Sequence, residues 1–177
     1  MNQFKKWNII GTIFTLIIGT LLHFLYEWTG GSLTAILGAV NESIWEHLKL
    51  VFWPVICFSW IEYKFYHPKP KGFLPIRVLS ALLAMLFIVI SFYTYTGILG
   101  FMIPWLNILI FIIATISAYI FSYYRFKQPK KCYTTPFATF LSVIILVGMI
   151  VCFIVFTHHP PQLNLFLDPV TQSYGIS

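Results

Sequence analysis

Five apolar runs, each long enough to cross a bilayer, leave this chain few folds. They cover residues 7–28, 42–66, 74–95, 101–124 and 136–158, and a transmembrane helix needs about 20 predominantly apolar residues. The 177 residues are 59% hydrophobic and only 9% charged, whereas soluble domains carry roughly 25% charged residues. Lipid is the only solvent that matches so much apolar surface. The pattern predicts an all-α integral membrane bundle of about five transmembrane helices over residues 1–159. A tail, residues 160–177, is expected to fold over one face.

The basic residues set an orientation. Lys5 and Lys6 precede the first run; Lys64, Lys69, Lys71 and Arg77 fall between the second and third or at their ends; Arg125, Lys127, Lys130 and Lys131 fall between the fourth and fifth. All these segments lie on one side, which the positive-inside rule makes cytoplasmic. The N-terminus is then inside and the tail outside, in a multi-pass protein of the cell membrane. Trp28, Trp45 and Trp105 fit an outer aromatic belt and Trp7 an inner one. The net charge of +6 is spread over short clusters rather than one face, which argues against a nucleic-acid partner. The first apolar run exceeds the 7–15 residues of a signal-peptide core and reads as a retained helix. Cys57, Cys132 and Cys152 form no CxxC pair and read as buried free thiols, not as a disulfide framework or zinc knuckle. No internal repeat supports an inverted-repeat transporter. Residues 33–40, after Gly30-Gly31, are apolar but too short to span, and are expected to form an interfacial or re-entrant segment packed on protein.

Positive-inside selection does not explain where the acids and histidines lie. Glu27, Glu42, Glu46, Asp168, His23, His47, His158 and His159 all fall at or near the outer face; only Glu62 and His67 are inner. Ionisable groups at membrane depth are costly and should have partners inside the bundle. His23 and Glu27 are four apart on one helix, above a row of small residues, Gly11, Thr15 and Gly19, that would admit a close neighbour. Glu42 and Glu46 are also four apart, and a cation between them would relieve their repulsion. His23, Glu27, Glu42, Glu46 and His47 together form an expected ligand set for a divalent metal, zinc, manganese or iron. Glu46 or Glu42 is the expected catalytic base.

Structural readings compete residue by residue. Asn41 and Ser43 fit helix caps, with Glu46 completing a capping box. Lys49 would neutralise Glu46 as a buried pair, Glu27 would be a solvated helix end, and His23 would bond a helix carbonyl. Glu62 beside Lys64 reads as a boundary pair and His67 as loop. In the tail, Leu163, Leu165, Phe166 and Leu167 would not stay in water, so the tail should fold back, bringing His158, His159 or Asp168 within reach of the cluster. Asn107, with Tyr93 and Tyr95, would line a cavity beneath it or act as interhelical glue.

The segments His23–Trp28 and Asn41-Glu-Ser-Ile-Trp-Glu-His-Leu-Lys49, with the tail residues Pro160-Pro161, Leu165-Phe166, Asp168-Pro169, Thr171 and Tyr174-Gly175, resemble a family of small prokaryotic membrane proteins known only as a domain of unknown function. The resemblance implies the architecture and no activity. Three functional readings stand side by side: a metal-dependent hydrolase acting on a lipid or other membrane-associated substrate, a transporter or channel for a cation or small solute, and a non-catalytic membrane subunit with a structural ion-pair cluster. No feature fixes an oligomeric state.

Overall fold

The computed structural model describes residues 3–66 and 70–176; His67 and Lys69 lie outside them. Six α-helices follow in order: α1 Gln3–Thr29, α2 Ser32–Leu37, α3 Ile44–Phe65, α4 Phe73–Leu99, α5 Pro104–Lys127 and α6 Pro136–His158. All but α2 are long and apolar enough to cross a membrane, so the five-helix membrane bundle holds. Most boundaries have local causes. Ser43 caps α3 by accepting the Glu46 N–H, and Thr135 caps α6 by accepting that of Ala138. Pro104 and Pro136 sit in the first turns of α5 and α6. Gly30 and Gly100 end α1 and α4 at φ of 60° and 80°, a region that L side chains avoid.

The central helix is α3, two-thirds buried over its apolar window, with α1 and α4 against it and α5 packed on both of those. Outside, α6 leans on α4 and α2 with most of its surface free for lipid. The stripe expected on α1 is its buried face: Asn8, Gly11, Thr15 and Gly19. Close approach is the reason. A Cβ on Gly19 would lie 2.5 Å from the Leu50 carbonyl oxygen. Four residues on, Pro54 has no N–H to give that carbonyl, so α1 meets α3 where the helix ladder is interrupted.

Alternation of direction gathers the C-termini of α1, α4 and α6 and the N-termini of α3 and α5 at one end, with the tail. Near each end a buried ion pair ties helices together. At the tail end, the Lys49 ammonium has three protons and three acceptors: Glu46 Oε2, the Ala35 carbonyl at 2.7 Å and Thr157 Oγ1 at 3.0 Å. Glu46 also accepts the Val40 N–H at 2.9 Å. This set fastens α2 and the turn after it to α3 and α6. It also packs the short α2 segment on the bundle, where its carbonyls are taken by Lys49 and by Trp53 Nε1, which donates to Ile36 at 3.0 Å. Toward the other end, Arg77 is fully buried. Its guanidinium donates twice to Glu62 Oε2 and once to Asn8 Oδ1, and lies 5.0 Å and 4.9 Å from the rings of Tyr119 and Phe126.

Several local expectations are corrected here. Glu62 pairs with Arg77, while Lys64 stands over the Trp60 ring. Trp45 is not a belt residue; it is buried against Phe153, Phe156 and Phe166. All three cysteines are free: Cys57 and Cys132 are exposed, and Cys152 is partly buried against the core.

Lys49→Met leaves Glu46 charged and unpaired in the core, and is expected to destabilise the protein by about 3–5 kcal/mol, with most of that recovered in Lys49→Met/Glu46→Gln. Thermal unfolding of the two variants beside wild type checks this.

Candidate metal-binding site

Three side chains from two helices and a turn meet at the tail end. His23 comes from the penultimate turns of α1, Glu42 from the turn before the α3 cap, and His47 from the first turn of α3. His23 Nε2 lies 3.7 Å from Glu42 Oε1, and His47 Nε2 lies 3.5 Å from Glu42 Oε2. One ligand atom from each of the three falls within 4.8 Å of the others. These separations are long for direct hydrogen bonds. They are close to the roughly 3.3 Å between two ligands of a tetrahedral ion with bonds near 2.0–2.1 Å. The Glu42 side chain is 44% exposed and has room to move toward the two rings.

The surroundings prepare the ligands. His47 Nδ1 is 2.9 Å from the Ser43 carbonyl oxygen. A carbonyl only accepts, so Nδ1 carries a proton, and Nε2 is the nitrogen on the Glu42 side, the one free to bind an ion when the ring is neutral. Glu42 is placed by its neighbours. Asn41 accepts the Ser43 N–H at 3.0 Å and donates to the Gly175 carbonyl at 2.9 Å; Asp168 Oδ2 accepts the Glu42 N–H at 3.4 Å. The Trp45 N–H donates to the Leu165 carbonyl at 3.0 Å. The tail thus holds the turn that carries Glu42. Burial works to raise the Asp168 pKa, but the N–H groups of Val170, Thr171 and Glu42 and the Thr171 side chain outweigh it and hold the carboxyl below its usual range.

The structure divides the residues that the sequence grouped. Helix α3 starts at Ile44, so Glu42 is not on its face, and the four-residue relation to Glu46 does not exist. Glu46 turns away, toward Lys49, Val40 and Thr157. Half of the expected capping box forms: Ser43 accepts the Glu46 N–H, but the Glu46 carboxylate goes to Val40. Glu27 is exposed, on a recess of about 250 Å³ shared with His23, Asn41 and Glu42. His158 and His159 are exposed at the end of α6. Asp168 reaches the backbone of Glu42 rather than the ligand atoms.

Asn107 does line a cavity with Glu42 and His47, a cleft of about 400 Å³ between α1 and α5. Tyr95 orients it: the phenol accepts the Ile103 N–H at 3.3 Å and donates to Asn107 Oδ1. Tyr93 is 38% exposed and not part of the cleft lining. The Tyr95–Asn107 bond joins α4 to α5, the interhelical role that the sequence offered for this group; the Ser43 carbonyl was given no role, because it acts through local backbone geometry.

Among known proteins, the profile of a family of unknown function, DUF6512, matches residues 1–176. No curated protein matches, and no solved structure does.

The ionised Asp168 stabilises the docked tail, so this contribution is complete well above the ordinary carboxyl value of 3.8 and is lost as pH falls below it. Asp168→Asn removes the charge at neutral pH and is expected to weaken docking by about 1.5–3 kcal/mol. Amide hydrogen exchange over residues 163–176, in wild type and variant at pH 7, reads the loss.

Proposed function

The chain belongs to the DUF6512 family, and we propose from its site geometry that it is a metal-dependent membrane hydrolase. On this reading His23, Glu42 and His47 hold one divalent ion, zinc, manganese or iron, near the headgroup layer. The basic end faces the cytoplasm of the cell membrane and the site lies on the opposite side, as the lysine and arginine distribution argues.

The observation that carries the proposal is the pair of imidazole Nε2 atoms converging on one carboxylate, with the His47 tautomer set by the Ser43 carbonyl. Structural zinc sites close with four protein ligands, whereas catalytic ones use three and keep a position open. Three ligands gather here among the described residues, beside a cleft. Two histidines with one carboxylate also suit iron. A divalent ion bound there supplies a Lewis acid and lowers the pKa of a coordinated water toward neutrality.

The chain's own contribution is placement. His47 is oriented by Ser43, the Glu42 backbone is held by Asn41 and the docked tail, and His23 is carried by α1 with its Nδ1 buried and unpartnered among the described residues. Of the two glutamates expected to act as base, Glu42 is the one that reaches the site. Glu46 is engaged by Lys49 and Val40 and serves the fold. A substrate borne in the membrane would approach through the cleft between α1 and α5, which is largely apolar in its lining and polar where it meets the ligands.

Elemental analysis of the purified full-length chain is expected to find about one divalent ion per molecule, and chelation to lower the unfolding temperature. An ion held at a hundred times its dissociation constant stabilises by about 2.7 kcal/mol. His47→Ala and Glu42→Gln should lose the ion. Full stability after chelation, with no bound metal before it, defeats the proposal.

A further inference from the structure

The cleft beside the three ligands has a composition that says what enters it. Its volume is about 400 Å³, within the range of small-molecule sites. Gly19 and Phe24 of α1 and Ile108 and Phe111 of α5 form apolar walls, while His23, Glu42 and His47 form its polar end. Thr20, Phe24 and Ile108, at its edge, are exposed on the flank of the bundle. That flank faces hydrocarbon in a bilayer, so a ligand can enter sideways with its chain among lipid and its head at the histidines.

Asn107 adds a second polar group. The one proton of the Tyr95 phenol goes to Asn107 Oδ1. With its oxygen occupied, the amide presents Nδ2 as a donor, in a cleft shared with Glu42 and His47. A hydrogen-bond donor and a cation together are complementary to an anionic, multi-oxygen head.

Charge then makes the interaction conditional. The tail end carries Glu27, Glu42 and Asp168, and its lysine, Lys49, is buried and neutralised by Glu46. The other described lysines and arginines belong to the opposite half of the bundle. An anionic head at this end has no lysine or arginine to meet it, so it must be held by the bound metal.

We infer that the cleft takes a phosphate-bearing amphiphile from the bilayer, its phosphate on the metal and the Asn107 amide and its chain between α1 and α5. This rests on the metal-site reading. It names the substrate class of that site and makes Asn107 a specificity-determining residue, oriented by Tyr95.

The test uses the zinc-loaded full-length chain in maltoside micelles, with dodecyl phosphate and inorganic phosphate as probes and unfolding temperature against probe concentration as the readout. Dodecyl phosphate is expected to stabilise the protein at concentrations at least about ten-fold below those at which inorganic phosphate acts, and chelation should abolish the effect. Thr20→Trp, which fills the cleft edge, should weaken dodecyl phosphate at least about ten-fold with zinc content unchanged. Asn107→Leu should weaken it by about ten-fold, the value of one hydrogen bond of about 1.4 kcal/mol. Tyr95→Phe should have a smaller effect in the same direction. Zinc bound at full stoichiometry with equal responses to the two probes, or with Thr20→Trp indifferent, overturns the inference and leaves the metal site standing. A chain that binds none of zinc, manganese and iron overturns both.

Discussion

The buried contact between Lys49 and Glu46 is the constraint on which the tail end of this protein depends. Neither charge would survive alone at that depth. Together with Ala35, Val40 and Thr157 they form a satisfied set that fixes α2, the start of α3 and the end of α6 relative to one another. The turn carrying Asn41, Glu42 and Ser43 is therefore anchored on one side by Glu46, through Val40, and on the other by the tail, through Asp168 and Gly175. Glu42 is left with an exposed carboxylate on a turn whose backbone is held, next to His23 and His47. The fold spends one glutamate on architecture so that another can be presented to the cleft.

The Arg77, Glu62 and Asn8 set does the same for α1, α3 and α4, with aromatic rings of α5 close to the guanidinium. Apolar side chains gain little by leaving lipid for one another, so a membrane bundle depends on tight packing and polar contacts for its specificity. The glycine row on α1 and these two polar sets serve those ends.

The architecture was legible in the sequence because bilayer thickness imposes it. Residues 136–158 were bounded as α6 is, and the small-residue row on α1 was located correctly. The site was legible in part. The histidines and glutamates at one end were visible as a group, but their partition was not. Glu42 and Glu46 looked like neighbours on a helix face because the apolar pattern of α3 could be extended back to Glu42, whereas the Ser43 cap starts the helix two residues later. Arg77 was counted only as a basic residue of the inner side, because the positive-inside rule counts charges without knowing which are buried. Trp45 and the cysteines were misplaced for a related reason: hydropathy gives the depth of a residue along the membrane normal but not which way its helix face turns.

X-ray absorption at the zinc edge of the metal-loaded chain tests the central claim most directly, since it reports what surrounds the ion. The account predicts nitrogen and oxygen neighbours at about 2.0–2.2 Å with the outer-shell scattering of two imidazoles. A first shell containing sulfur, or oxygen neighbours with no imidazole signature, would contradict it.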